Sequence, residues 1–150
     1  MLLLLISGCV CGQSVFINES FSDNYRAWPL GKGDNYTLTI EGGKYIINTT
    51  QEGNGRVIRI YPYFEKRKDF SIEATFVQKS GSVNNGIGLV WGENPAGINY
   101  EFLITTNGYY KIRGAEKAKG NDEWIKYKNI NPLGQSNHLR IVQKNAVWTY

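Results

Sequence analysis

The stretch Asn99-Tyr100-Glu101-Phe102-Leu103-Ile104-Thr105-Thr106-Asn107-Gly108-Tyr109-Tyr110-Lys111-Ile112-Arg113 contains two alternating runs around a turn signal, and its register can be argued from side chains alone. A two-residue Asn107-Gly108 loop would pair Phe102 with Arg113 and Ile104 with Lys111. Apolar residues of one strand would then stand against charges of the other on one face. A three-residue loop, Thr106-Asn107-Gly108 with Gly108 at positive φ, shifts the pairing by one residue. Ile104 then faces Tyr110 and Phe102 faces Ile112, which gives a coherent core face. A one-residue slip moves every side chain to the other face, so burial selects this second register. The outer face then carries Leu103 opposite Lys111 and Glu101 opposite Arg113, with Tyr109 outward beside Thr105.

Working outward, the same signature recurs at intervals of about 10 residues, with no sustained helical periodicity. Val15 to Ile17 opens the series. Tyr36 to Ile40 and Lys44 to Thr49 form a hairpin around Glu41-Gly42-Gly43, and Arg56 to Tyr61 ends at Pro62. Phe70 to Gln78 alternates with Phe70, Ile72, Ala74 and Phe76 on one face. Ile87 to Trp91 follows the turn signal Asn84-Asn85-Gly86, and Trp91 shares a packing face with Ile87 and Leu89. Trp124 to Tyr127, His138 to Gln143 and Val147 to Tyr150 complete the set. This pattern predicts an all-β, antiparallel two-sheet β-sandwich.

Composition agrees. Ten Tyr, six Phe and four Trp favour half-buried strands, and seventeen Gly serve the turns between them. A chain of 150 residues fits one domain with one continuous core. The net charge of +4 is scattered, as in Glu65-Lys66-Arg67-Lys68-Asp69, where a nucleic-acid footprint would be a clustered stripe. No nucleic-acid partner is expected. No linker, repeat or low-complexity segment divides residues 13–150.

Met1 to Ile6 is an unbroken apolar run, far shorter than the roughly 20 residues that cross a bilayer. It reads as the apolar part of a secretory signal lacking its usual basic start, so residues 1–12 are taken as a signal and 13–150 as the sandwich domain. Two processing routes remain open. Ile6-Ser7-Gly8-Cys9 matches a lipobox that would make Cys9 a lipidated N-terminus, while Val10 and Gly12 permit ordinary cleavage before Gln13. Membrane association is expected only through such an anchor, and the location is periplasmic, outer-membrane-anchored or secreted. Both cysteines, Cys9 and Cys11, lie in this segment, which excludes a disulfide scaffold or a cysteine-rich zinc site. Asn18-Glu19-Ser20, Asn35-Tyr36-Thr37 and Asn48-Thr49-Thr50 fit the glycosylation acceptor pattern but have no bearing in a bacterial host. At the other end, Ala146-Val147-Trp148-Thr149-Tyr150 stops in mid-strand, which predicts a fragment of a longer protein with an incomplete C-terminus.

From Phe21 onward the order of signals resembles the concanavalin A-like lectin/glucanase superfamily, particularly its laminin-G-like bacterial modules. The matching residues are Phe21-Ser22-Asp23 with Trp28, Gly43-Lys44-Tyr45 and Asp69-Phe70-Ser71-Ile72-Glu73. Asn85 to Trp91, Tyr100 to Ile104, Asn107 to Ile112 and Asn137-His138-Leu139-Arg140-Ile141 continue the match. These are packing and turn residues, specific for fold and weak for function. The resemblance implies a jelly roll used outside the cytoplasm to bind glycans or surface proteins, commonly as an accessory domain.

Catalysis is not expected. The related glucanases carry a Glu-x-Asp-x-Glu run, and the nearest approach here, Asp69-Phe70-Ser71-Ile72-Glu73, lacks the middle acid. Asp69 reads as a turn-closing residue. Glu73 and Glu101 converging across strands is a second option, against which stands an ordinary ion pair of Glu101 with Arg113. His138, the only histidine, has no Cys or acidic cluster beside it in the sequence, and reads as a surface or hydrogen-bonded strand residue. Asn121-Asp122-Glu123 and Asp34-Asn35 carry oxygen ligands that calcium would use, but no loop motif fixes them, so no cofactor is assigned. Gly53-Asn54-Gly55 lacks the strand-loop-helix setting of a phosphate cradle.

Ligand binding fits better. Sugar rings stack on exposed aromatics with polar neighbours that fix orientation. Tyr109 and Trp124 are the candidate platforms, and Tyr61 and Tyr63 flank Pro62 in a connection. Glu101, Lys111 and Arg113 beside Tyr109 form the best polar constellation, whose competing reading is a solvated, ion-paired sheet face. The expected partner is a glycan or a surface protein. Trp28, Trp91 and Trp148 read as packing residues.

Overall fold

The computed structural model describes residues 17–50, 58, 69–92, 99–114, 123–145 and 147–149. Every regular element among them is a β-strand, and every pairing is antiparallel. The fold class is therefore all-β. The chain divides into two compact units, residues 1–63 and 64–150, taken in turn below.

The first unit holds one three-stranded sheet in the order β1-β2-β3, with β1 Gly31–Gly33, β2 Tyr36–Glu41 and β3 Lys44–Thr49. The expected hairpin forms, closing on the pair Glu41 and Lys44. Its two loop residues, Gly42 and Gly43, have φ of 57° and 68°, the doubly left-handed turn whose twist matches that of the strands. Tyr36, Leu38, Ile40, Tyr45 and Ile47 share one face in this register, and Leu38 is the one buried to core level. β1 has no apolar alternation in its Gly-Lys-Gly sequence and was not foreseen. It pairs Gly31 with Leu38 and Gly33 with Tyr36. Val15 and Phe16 lie outside the described residues, and Ile17 is not in a strand. Of the strand expected over residues 56–61 only Ile58 is described, and it carries no strand.

The second unit holds two sheets. One has the order β10-β9-β4, from β4 Phe70–Val77, β9 Ser136–Lys144 and β10 Val147–Thr149. The other has the order β5-β6-β7-β8, from β5 Ile87–Trp91, β6 Tyr100–Thr105, β7 Tyr109–Arg113 and β8 Ile125–Lys126. Each sheet hides one face, as a β-sandwich requires. In the first, Ile72 pairs with Ile141 and Ala74 with Leu139, on the face that the alternation of Phe70, Ile72, Ala74 and Phe76 marks as inner. In the second, the rows Ile87–Ile104–Tyr110, Leu89–Phe102–Ile112 and Trp91–Tyr100 form the inner face. Ile104 and Ile141 are the largest fully buried side chains, one from each sheet. Burying a side chain of that kind contributes about 1.5–3 kcal/mol.

The register of the β6–β7 hairpin is the one that burial selects. Ile104 pairs with Tyr110, Phe102 with Ile112, Leu103 with Lys111 and Glu101 with Arg113. Gly108 has φ of 93°, a conformation that side chains larger than hydrogen rarely adopt, and so ends the three-residue loop.

Candidate functional site

The outer face of the four-stranded sheet is assembled by three strands. β6 supplies Glu101 and Leu103, β7 supplies Tyr109, Lys111 and Arg113 opposite and beside them, and β8 sets Lys126 against Tyr109. Continuing the β7–β8 register by one residue sets Trp124 against Lys111. The Lys111 ammonium lies 4.9 Å from the centroid of the Trp124 ring, where the negative face of the indole attracts a cation. Trp124 nevertheless keeps 38% of its surface exposed. Gly86 lies under the edge of its ring. A Cβ on Gly86 would stand 3.1 Å from Cη2 of Trp124 and 3.4 Å from Cδ1 of Leu103. A Cβ on Gly88 would run into the carbonyl oxygen of Phe102.

Four of the five sequence-derived binding residues thus come together around Leu103. Glu101 and Arg113 form the expected cross-strand ion pair, Nη1 to Oε2 at 3.6 Å, with both side chains partly buried. Trp124 and Lys111 form the second contact. Tyr109 sits differently from the expectation of an open platform. It is half-buried beside Thr105, which is itself buried. The Thr105 hydroxyl donates to Asn107 Oδ1 at 2.6 Å and accepts from the Tyr109 N–H at 3.2 Å, so this end of the face is drawn into the loop.

That loop belongs to a polar cluster not visible in the sequence, because its members are far apart along the chain. The Gln78 amide accepts from the Thr106 hydroxyl at 2.7 Å and donates to the Ser82 carbonyl at 2.8 Å, while the Gln78 carbonyl accepts from Gly134 N–H at 2.8 Å. Asn107 Nδ2 donates to Asn84 Oδ1 at 2.6 Å, and Tyr127 N–H to the Gly108 carbonyl at 2.8 Å. The connections after β4, β6 and β8 are therefore pinned to one another at one end of the unit.

The outer face of the other sheet carries a second polar group. Glu73 Oε2 lies 3.6 Å from His138 Nε2 and 3.7 Å from Arg140 Nε, and Thr75 Oγ1 is 3.0 Å from His138 Nδ1. Glu73, His138 and Arg140 are all exposed. Such a group lies in open solvent, where an exposed ion pair such as Glu73 with Arg140 carries small energetic weight. Glu73 and Glu101 do not converge, since they belong to different sheets and each faces its own cation. Asp69 closes a turn, but the one between β9 and β10, accepting the Asn145 N–H at 2.8 Å. Among the described residues no three of His, Cys, Asp and Glu come together.

In the first unit Trp28 packs as expected. Its ring lies 5.1 Å from Phe21 and 5.2 Å from Tyr45, centroid to centroid. Glu19 organises this cluster, and nothing in its local sequence announces that role. Its carboxylate accepts the Phe21 N–H at 2.9 Å and the Trp28 indole N–H at 3.0 Å, with Arg26 Nε at 3.8 Å. Chiefly the Phe21 bond, then the Trp28 bond, hold the Glu19 carboxyl below its ordinary value of 4.5.

Cys9, Gly53 to Gly55, Tyr61, Tyr63, Asn121 and Asp122 lie outside the described residues, as does the side chain of Trp148. No protein-family model matches the sequence, and no curated protein and no solved structure is significantly similar to it.

Proposed function

We propose that this chain is an exported, non-catalytic binding module of the concanavalin A-like jelly-roll type, recognising carbohydrate or mediating adhesion as part of a larger surface protein. The observation that supports this reading best is Trp124. A large indole is held partly exposed with its edge over Gly86, with Lys111 on its ring and the Glu101–Arg113 pair on the same sheet face. An aromatic plane ringed by oriented polar groups is the arrangement on which sugars stack. Export rests on the apolar run Met1 to Ile6, and a lipid anchor on Cys9.

A glycan array probed with the full 150-residue chain tests it. Binding that Trp124→Ala abolishes and Tyr109→Ala weakens would place the ligand on this face. Silence from a folded sample would remove the carbohydrate reading. One observation favours a second reading, a protein-interaction surface: Ile125 in β8 and Tyr127 just after it are also exposed. Hydrolysis has weaker support, because it needs two carboxylates flanking one bond, and Glu73 and Glu101 lie in separate sheets.

A further inference from the structure

Two Asn-Gly pairs lie in described connections of the second unit, and the fold treats them differently. At Asn107-Gly108 the side chain is fixed at both ends. Asn107 Oδ1 accepts the Thr105 hydroxyl at 2.6 Å, and Nδ2 donates to Asn84 Oδ1 at 2.6 Å. The backbone is fixed as well, with Asn107 N–H donating to the Val83 carbonyl at 3.3 Å and Gly108 N–H to the Thr105 carbonyl at 2.9 Å. At Asn85-Gly86 the Asn85 N–H donates to the Ser82 carbonyl at 3.2 Å, closing a four-residue turn. Among the described residues, the Asn85 side chain and the Gly86 N–H enter no hydrogen bond. Asn85 and Asn107 are both exposed, so access to water does not separate the two pairs. Hydrogen bonding does.

We propose that Asn85 is a site of spontaneous deamidation, where the turn before β5 acquires aspartate or isoaspartate while Asn107 is preserved. Asparagine is a thermolabile residue, and the step needs no partner but solvent water. The Gly86 amide nitrogen loses its proton to solvent base and attacks Cγ of Asn85. A Cγ–N bond forms, the Cγ–Nδ2 bond breaks, and Nδ2 takes a proton from water and leaves as ammonia. Water then adds to either carbonyl of the resulting succinimide ring. Opening on one side gives aspartate, and opening on the other gives isoaspartate, whose main chain runs through the former side chain. Glycine favours the attack because no Cβ crowds its nitrogen. At Asn107 the same attack must first break the bonds that hold the nucleophile, the carbonyl and the leaving amide. Either product exchanges an amide for a carboxylate, so the net charge of +4 falls by one. Isoaspartate also adds a methylene to the main chain directly before Gly86, the glycine under the edge of the Trp124 ring. The change therefore begins one residue from the candidate face, whatever that face binds.

The test ages the full chain at mildly alkaline pH, where the attacking nitrogen loses its proton more readily, and ages a parallel sample in denaturant. Fragment-resolved mass spectrometry follows each asparagine, and isoaspartyl methyltransferase labelling reports the isomer. In the folded chain Asn85 should convert about tenfold or more faster than Asn107, whose hydrogen bonds must open first. In denaturant the two rates should draw together, because both residues precede glycine. Asn85→Gln should remove the isoaspartyl label from the fragment that holds Gly86. Thr105→Val deletes the hydroxyl that donates to Asn107 Oδ1 and should raise Asn107 conversion several-fold, with circular dichroism reporting the fold. If that variant does not fold, the wild-type comparison of folded and denatured samples still decides. Equal rates at the two sites in the folded chain, or faster loss of Asn107, would overturn the proposal. So would an Asn85 that stays intact in the folded chain over the time in which the denatured chain converts it.

Discussion

Two hairpins of this protein solve the same problem in different ways. Between β2 and β3 the chain reverses through Gly42 and Gly43, and six residue pairs follow from that turn. Its apolar face is shallow, because Leu38 is buried while its partner Ile47 is 47% exposed. Between β6 and β7 the loop has three residues, and the inner row Ile87–Ile104–Tyr110 includes a side chain only 1% exposed. In the first hairpin turn chemistry sets the register and burial adds little. In the second burial sets it, and the loop takes the length that burial demands.

Core substitution gives the largest contrast between them. Ile104→Ala should cost about 2–5 kcal/mol, the range for emptying a packed site. Ile47→Ala should stay within about 1 kcal/mol, because much of that side chain already meets water. Denaturant unfolding of both variants measures the gap, and equal losses would mean that the two hairpins are held alike.

A smaller effect separates the turns. Asn accepts the left-handed conformation near φ of 57°, so Gly42→Asn should be nearly neutral. The φ of 93° at Gly108 lies beyond that region, and Gly108→Asn should lose about 1–2 kcal/mol. Hydrogen exchange resolved by residue would show whether the loss stays in the β6–β7 hairpin. Opening of β2–β3 in that variant would contradict the separation of the two.

The finest effect is confined to acid. Glu19 has a folded carboxyl value below its ordinary 4.5, so the stability it contributes is complete above that value. It is lost as pH falls through the lowered folded value, once the carboxylate protonates in both states. Glu19→Gln should therefore lower the stability of the first unit near neutrality and flatten its acid limb. Trp28 fluorescence followed from neutral to acid pH reads this, and an acid limb unchanged by the substitution would show that Glu19 is not the organiser of the cluster.

The β6–β7 register was legible from the sequence because Phe102, Ile104, Tyr110 and Ile112 align in one pairing and clash with charge in the other. The two flanking hairpin strands, β4, β5 and β9 were legible because alternation and turn residues are local signals. β1 was not, since Gly31-Lys32-Gly33 has nothing to alternate and is drawn into the sheet by β2. Of the candidate site, the Glu101–Arg113 pair followed from the hairpin register. The meeting of Trp124 with Lys111 did not, because it depends on where β8 docks after a long connection. Gln78 and Thr106 are 28 residues apart, and Glu19 and Trp28 are nine apart with no regular element between them. Hydrogen bonds of this kind are specified by the finished fold rather than by any period in the chain.

The Gln78 side chain does for its loops what a covalent cross-link does in many exported domains. It reaches Thr106 and Ser82, and its backbone carbonyl holds Gly134, so three connections converge on one residue. Nothing in that clasp can be reduced. Residues 13–150 contain no cysteine, so the loops of this end need neither an oxidising environment nor a disulfide catalyst to close. The same clasp would form under thiol reductant as in air, and the chain can be produced and studied in either without altering it.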